Sequence, residues 1–270
     1  MADAEGGFSS RLHTLGVVLE QMGDVAIAVS GGVDSMTLAA FAHEADNVQV
    51  TMFHALSPAV PVEASDRVRR FARELGWNLV VIDAGELRDA RYTDNPTNRC
   101  FFCKENLYRS IAEKTGAVIC SGTNVDDLGD YRPGLQAAAS HAVRHPLVEA
   151  GFSKADIRIL AHILEMDDVA DLPASPCLAS RVETGIPIRP EVLLAIDAVE
   201  RAARSVAGIP VVRCRVRKEG VVLETGRDLP EAPRRAIVAA AQPHLVAAGL
   251  SGSLSFAAYK QGSAFLRVLP

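Results

Sequence analysis

The stretch Ala26-Ile27-Ala28-Val29-Ser30-Gly31-Gly32-Val33-Asp34-Ser35 constrains this chain more than any other. Val25 to Val29 is an apolar run that reads as a buried strand, bounded by Ser-Gly-Gly. Met36 to Ala45 follows with apolar and small residues at helical spacing, so the unit is strand, tight loop, helix. Such a loop aims successive backbone N–H groups, and the positive end of the helix dipole, at one point. Paired glycines let a ligand approach the backbone with no Cβ in the way. Ser30 and Ser35 add hydroxyl donors, and Asp34 suits a metal held on a phosphate. The pattern predicts an oxyanion, with phosphate the expected one. An ordinary βα turn also uses glycine and serine, and Ser-Gly-Gly alone does not separate the two.

The longer string S-G-G-V-D-S does separate them. It resembles the PP-loop of the ATP pyrophosphatases, and that resemblance implies ATP cleaved between its α and β phosphates. No Gly-Lys-Ser/Thr follows, so this is not a Walker A loop.

At 270 residues the chain has room for one large domain and a smaller companion. Hydrophobic content of 49% with 23% charged residues is that of a globular protein. A net charge of −5 argues against broad electrostatic attachment to nucleic acid, although a local basic patch is compatible with it. No apolar run approaches the ~20 residues that span a bilayer, so no membrane partner is expected. The acidic, polar start Met-Ala-Asp-Ala-Glu-Gly-Gly is unlike a secretory signal. Five cysteines, an odd count, do not suggest a disulfide framework. The expected compartment is the reducing cytoplasm, where clustered cysteines point to metal or sulfur chemistry.

Helical periodicity covers residues 8–22, 65–75, 104–115, 153–166, 190–207 and 231–248. Short strands are expected at 48–53, 79–82 and 117–120, alternating with helices. That rhythm predicts an α/β fold with a doubly wound parallel sheet, whose ligands sit at the carboxyl ends of strands. The Ser30 loop and Ser121-Gly122-Thr123-Asn124 would then face one crevice. After the proline-punctuated segment 171–177 the pattern changes to a second, smaller α+β domain. It should hold a hairpin about Lys218-Glu219-Gly220 and strands at 254–259 and 264–268. The expected boundary divides 1–170 from 171–270.

Cys100-Phe101-Phe102-Cys103 places two sulfurs close enough to share one metal or to form a disulfide. Cys177, in Ser175-Pro176-Cys177-Leu178-Ala179-Ser180-Arg181, is the candidate third thiol. Three thiolates leave a [4Fe–4S] cluster one open iron, or zinc one open position. Arg181, four residues on, is a cation that would favour the Cys177 thiolate. Cys120 and Cys214 lie in apparent strands and read as small buried apolar residues. Asp126 and Asp127 follow a strand end, where they could orient Mg²⁺ or ribose or simply be solvated loop acids. Arg132 could meet a phosphate or carboxylate through its planar fork. Arg213 and Arg215 alternate on one strand and share a face, suited to a phosphate or else countered by Glu224 on an exposed face. Lys104 and Ser180 are weaker candidates for the same anion. His13, His43, His141 and His162 fall in expected helices, where a lone histidine is usually structural.

S-G-G-V-D-S, N-P-x-x-R-C-x-x-C-K, G-T-N-x-D-D with D-Y-R-P-G after it, and S-P-C-L-A-S-R occur here in that order. Together they resemble the LarE family, ATP-dependent sulfur transferases that help make the nickel-pincer nucleotide cofactor of lactate racemase. The resemblance implies a PP-loop ATP pyrophosphatase domain, similar to adenine nucleotide alpha hydrolases, over 1–170, and a substrate or oligomerisation domain over 171–270. It implies that a carboxylate of pyridinium-3,5-biscarboxylic acid mononucleotide is adenylated with loss of pyrophosphate, and that sulfur then displaces AMP. A mixed anhydride supplies the leaving group that a carboxylate lacks.

Cys177 matches the sulfur-bearing cysteine, with Asp34 and Arg181 as catalytic companions. The implied ATP and Mg²⁺ site comprises Ser30, Gly31, Gly32, Asp34, Ser35, Phe53, Thr123, Asn124, Asp127 and Arg132. The implied substrate-phosphate site comprises Arg213, Arg215, Lys104 and Ser180. The best-known members sacrifice the sulfur of a single cysteine and end as dehydroalanine. Cys100 and Cys103 depart from them and resemble a three-cysteine branch, in which a [4Fe–4S] cluster on Cys100, Cys103 and Cys177 delivers sulfide. The resemblance implies a homo-oligomer, a hexamer being one such form, with other enzymes of nickel-pincer synthesis, and lactate racemase downstream, as partners.

Rival readings are a tRNA-thiolating PP-loop enzyme, an amidating synthetase of the NAD or GMP synthetase kind, and a regulatory nucleotide-binding module with structural zinc. The first calls for further cysteine pairs or a basic RNA surface, and the second needs no cysteine triad.

Overall fold

The structure is a computed structural model that describes residues 2–129, 133–250 and 252–260. In chain order the elements are α1 (Ala2–Met22), β1 (Asp24–Ala28), α2 (Val33–Glu44), β2 (Gln49–Ala55), α3 (Val62–Glu74), β3 (Leu79–Ile82) and α4 (Ala90–Thr93). Then come α5 (Arg99–Ala112), β4 (Val118–Ser121), α6 (Pro133–Ser140), α7 (Pro146–Glu149), α8 (Lys154–Ile163) and α9 (Asp167–Ala170). The chain continues through α10 (Pro190–Ala207), β5 (Val212–Arg217), β6 (Gly220–Thr225), α11 (Glu231–Ala247) and β7 (Ser255–Ala258).

The chain divides into two compact units. The first takes the chain up to Ser57, then Val62–Gly85 and Cys100–Ser175. The second takes Pro58–Pro61, Glu86–Arg99 and everything from Pro176. The second unit thus recruits two earlier segments that no shift of composition marks. One is tied in where the Leu178 N–H donates to Ala59 O at 2.8 Å. The other is tied in where the Asn95 amide donates to the carbonyls of Glu183 and Ile186 at 2.8 Å each.

In the first unit four parallel strands run in the order β3-β2-β1-β4. The order reverses at β1, which opens a crevice at the carboxyl ends of β1 and β4. Strands of such a sheet are buried on both faces, which is why β1 reads as one apolar run. Val25 and Ile27 pack with Leu15 and Leu19 of α1, with α2 and with Ile157 and Leu160 of α8. Ala26 and Ala28 meet Tyr108 and Ile111 of α5 and Ala138 of α6 on the other face. Each large aliphatic side chain buried in this way contributes roughly 1.5–3 kcal/mol.

In the second unit β5 and β6 pair antiparallel from Val212↔Thr225 to Arg217↔Gly220, closing the expected hairpin on Lys218 and Glu219. β7 then adds parallel to β6, making the small sheet mixed. The buried side of α10 carries Val192, Leu193, Ile196 and Val199, and that of α11 carries Ile237, Ala241 and Leu245. The strand expected at 264–268 lies outside the described residues. Among the described residues no helix is long and apolar enough to cross a membrane.

Some boundaries differ from the sequence expectation. The helix expected from residue 104 begins at Arg99, so both cysteines of the C-x-x-C lie in its opening turns rather than ahead of it. Asn95, in the left-handed region at φ 55°, turns the chain just before it. His141 falls one residue past the end of α6, and α4, α6, α7 and α9 are too short for periodicity to reveal.

Candidate active site: an anion cradle and a presented thiol

In the first unit the Ser30 loop joins β1 to α2. Gly32 is the N-cap of α2 and supplies no side-chain cap, so the first N–H groups of that helix are not capped from within. The Ser30 N–H donates to the Ser35 hydroxyl at 3.1 Å, and the two serine hydroxyls lie 3.1 Å apart. Gly31 has φ 81°, and a Cβ there would come within 2.6 Å of the Ala64 carbonyl. Glycine is required on both counts.

Gly122, just past β4, is required for another reason. A Cβ on it would sit 2.7 Å from the Ser35 nitrogen and 2.9 Å from the Asp34 carbonyl carbon. The loop after β4 therefore lies flat against the first turn of α2. Two sequence-expected stretches, Ser30–Ser35 and Ser121–Asn124, meet at one edge of the sheet.

Asp34 is held from two sides. Asn124 Nδ2 donates to Oδ1 at 3.3 Å, and the Lys154 ammonium lies 2.5 Å from Oδ2. The Lys154 N–H donates to Asp126 at 2.7 Å, and the Asn124 N–H donates to Asp127 at 3.2 Å. Both acids therefore take backbone donors in this loop, so neither is simply solvated. Thr123 Oγ1 and His145 Nδ1 lie 2.9 and 2.8 Å from Ser121 Oγ. Burial holds His145 below the usual histidine pKa. Phe53, at the carboxyl end of β2, is buried core beside Ala28. Lys104 is on α5 in this unit, its ammonium 5.7 Å from the Tyr108 ring centre. Arg132 lies outside the described residues.

Lys154, His54, Arg67 and His145 were not singled out from sequence. The signal for Lys154 was present: Ser153-Lys154-Ala155-Asp156 is a capping box, with Ser153 and Asp156 bonded reciprocally. That box puts Lys154 in the first turn of α8.

In the second unit Cys177 is exposed and caps a short 3-10 turn, Leu178–Arg181. Arg181 is 1% exposed. Its Nη1 donates to the carbonyls of Pro176 and Cys177 at 2.5 and 3.2 Å and to Ser180 Oγ at 3.0 Å. Its Nε and Nη2 form a fork on Glu200 at 2.9 and 3.1 Å. Arg181 grips the main chain about the thiol and anchors it to α10.

Arg213 and Arg215 share the face of β5 opposite Val212, Cys214 and Val216, and that face is buried rather than exposed. Arg215 donates to Glu224 at 3.0 Å and to the Ser180 carbonyl at 2.9 Å, while Arg217 also meets Glu224 at 2.6 Å. The Arg213 guanidinium stands over the Tyr259 ring at 5.6 Å. Burial, and then the neighbouring Arg181, lower the Arg213 pKa. Three buried arginines (Arg181, Arg213 and Arg215) lie beside two buried glutamates, Glu200 and Glu224.

None of the five cysteines is in a disulfide. Cys100 and Cys103, one turn apart on α5, share a helix face, a spacing that suits two soft donors to one metal. Among the described residues no three His, Cys, Asp or Glu side chains are gathered to hold a metal ion. Cys120 and Cys214 are fully buried in β4 and β5, and burial pushes the Cys120 thiol up to about 12 and raises that of Cys214 as well. Both are inert packing thiols.

The chain is 31% identical over 231 residues to pyridinium-3,5-bisthiocarboxylic acid mononucleotide synthase of Lactiplantibacillus plantarum, a match covering 83% of this chain and 81% of that protein. This chain belongs to the LarE family. Within reach of the same comparison are two uncharacterized proteins. One, from Synechocystis, is 34% identical over 71% of this chain and 72% of its own length. The other, from Methanocaldococcus jannaschii, is 28% identical over 76% and 79%. No protein-family model matches the chain.

Proposed function

We propose that this LarE-family chain is an ATP-dependent sulfur transferase acting on a pyridinium carboxylate mononucleotide in nickel-pincer cofactor synthesis. The observation that carries the reading is the long match to the bisthiocarboxylic acid mononucleotide synthase, in a chain that presents Cys177 on an anchored turn. In the first step a substrate carboxylate oxygen attacks the α-phosphorus of ATP. The bond from that phosphorus to the bridging oxygen breaks, and pyrophosphate leaves. The N–H groups opening α2, with the Ser30 and Ser35 hydroxyls, take up the negative charge of the departing pyrophosphate. Asp34 and Asp127 would hold Mg²⁺, which supplies charge neutralisation on the phosphates. Lys154, whose ammonium pairs with Asp34, would offer that ammonium to the phosphate oxygens. Phe53, Thr123, Asn124 and Arg132 complete the proposed nucleotide site.

In the second step a sulfur nucleophile attacks the acyl carbon of the adenylate, and AMP leaves with the bonding pair. Cys177 is a proposed holder of the centre that supplies that sulfur, and Arg181 keeps its turn fixed on α10. Arg213, Arg215, Ser180 and Lys104 are the proposed holders of the mononucleotide phosphate, on the strength of the two arginines that share one face of β5. The proposed metal centre is a [4Fe–4S] cluster held by Cys100, Cys103 and Cys177, which when bound would supply sulfide at its open iron. A homo-oligomer is proposed on family resemblance.

The test incubates anaerobically purified protein with ATP, Mg²⁺ and pyridinium-3,5-biscarboxylic acid mononucleotide, then weighs protein and products. Thiocarboxylate, AMP and pyrophosphate in equal amounts support the reading. Pyrophosphate without any sulfur-containing product overturns sulfur transfer. Loss of one H₂S from the protein at Cys177 supports transfer but replaces the cluster as sulfur source.

A further inference from the structure

The carbonyls of the Ser30 loop are held as firmly as its amides. A trans peptide directs its C=O and N–H to opposite sides, so tying back one aims the other. Val29 O lies 2.8 Å from His54 Nδ1. A carbonyl only accepts, so the proton sits on Nδ1, and Nε2 accepts from the Ser65 hydroxyl at 2.9 Å. Gly31 O accepts from Arg67 Nη1 at 2.7 Å. Across those same two peptides, the N–H groups of Ser30 and Gly32 point inward, to the Ser35 and Ser30 hydroxyls at 3.1 and 3.4 Å. Ala64, Ser65 and Arg67 all belong to α3, and the Ala64 carbonyl is the wall that Gly31 passes. His54 is 1% exposed and sits at the end of β2. Burial lowers the pKa of both His54 and Arg67, yet arginine keeps its charge.

We propose that His54 and Arg67 are positioning residues of the phosphate cradle, through which α3 draws the Val29 and Gly31 carbonyls away from a bound nucleotide. Carbonyl oxygens turned toward phosphate would repel it, and the two tethers remove that alternative before the ligand arrives. The inference rests on the reading of this loop as an ATP site and adds the device that preorganises it.

The experiment measures binding of inorganic pyrophosphate, Mg·ATP and adenosine to the full chain by calorimetry. Arg67→Met and His54→Leu should weaken pyrophosphate and ATP roughly tenfold or more while leaving adenosine unchanged. Arg67→Lys and His54→Asn keep a donor at each carbonyl and should restore most of the affinity. Ser65→Ala, the mildest change, should give a smaller loss of the same kind. Folding of each variant is followed by its thermal midpoint. Pyrophosphate affinity unchanged in folded Arg67→Met and His54→Leu overturns the proposal. Equal weakening of adenosine and pyrophosphate also overturns it, since the effect would then not belong to the cradle. Wild-type protein that binds adenosine but neither ATP nor pyrophosphate overturns the ATP reading itself, a failure visible before any variant is made.

Discussion

The two units offer a proposed anion opposite kinds of surroundings. The first aims main-chain N–H groups from the Ser30 loop and the start of α2, with carbonyls tied back by His54 and Arg67. The second gathers Arg181, Arg213 and Arg215 about Glu200 and Glu224 in a buried cluster. A backbone cradle buries no formal charge, and its demand is conformational: positive φ at Gly31 and a bare Cα at Gly122. An arginine face demands the reverse, ordinary backbone but buried charge that must be countered. The first is therefore vulnerable to an added Cβ, and the second to a lost carboxylate.

The largest effect should come from removing a counter-charge. Glu200→Leu leaves Nε and Nη2 of Arg181 and the Cys214 N–H without their carboxylate acceptor, and loss of one partner of a buried pair costs about 3–5 kcal/mol. Denaturant unfolding should show the second unit destabilised while pyrophosphate binding persists; loss of both together would break the contrast between units. Next comes Gly31→Ala, which should destabilise by about 1–3 kcal/mol through strain at positive φ and a backbone clash with Ala64. Its pyrophosphate binding should fall below detection by calorimetry, whereas unaltered binding would show the cradle is not where the anion sits.

Lys154→Met separates function from stability. The ion pair with Asp34 is part-exposed, at 37% and 25%, so stability should move by less than about 1 kcal/mol. AMP formation should nevertheless drop roughly tenfold, read by chromatography. The smallest effect is on pH. His54 and His145 are held neutral by burial, below the ordinary value of 6.5. The unfolded chain then binds protons more readily, so their contribution is complete above about 6.5 and is lost as pH falls. The thermal midpoint of the first unit should drop on acidification, and His54→Asn should flatten that slope. The second unit, whose one histidine is the exposed His244, should lack it.

Much of the first unit was legible because its signals are local. A buried parallel strand is a continuous apolar run and a cradle needs its glycines beside the strand end; in the second unit a hairpin likewise announces itself by Gly220 between alternating residues. Lys154 was legible in principle through its capping box. His54 and Arg67 carry no such mark, since nothing between them and the loop is fixed until β2 lies beside β1 and α3 packs over it. Arg213 and Arg215 were readable as a pair on one face, but burial of that face was not, because one strand cannot say what covers it.

By itself the amino-acid sequence determined the strand-loop-helix cradle, the parallel α/β core, the helix and hairpin of the second unit and the order of the cysteine motifs. Those follow from periodicity and from residue types whose conformational limits act within a few positions. Only the tertiary structure decided that Gly122 lies on Ser35, that Lys154 meets Asp34, that Arg181 turns to Glu200 and the main chain about Cys177, and that residues 58–61 and 86–99 join the second unit. Such contacts join residues as far as 120 positions apart, and they exist only once packing has excluded water and left each buried polar group to find its partner.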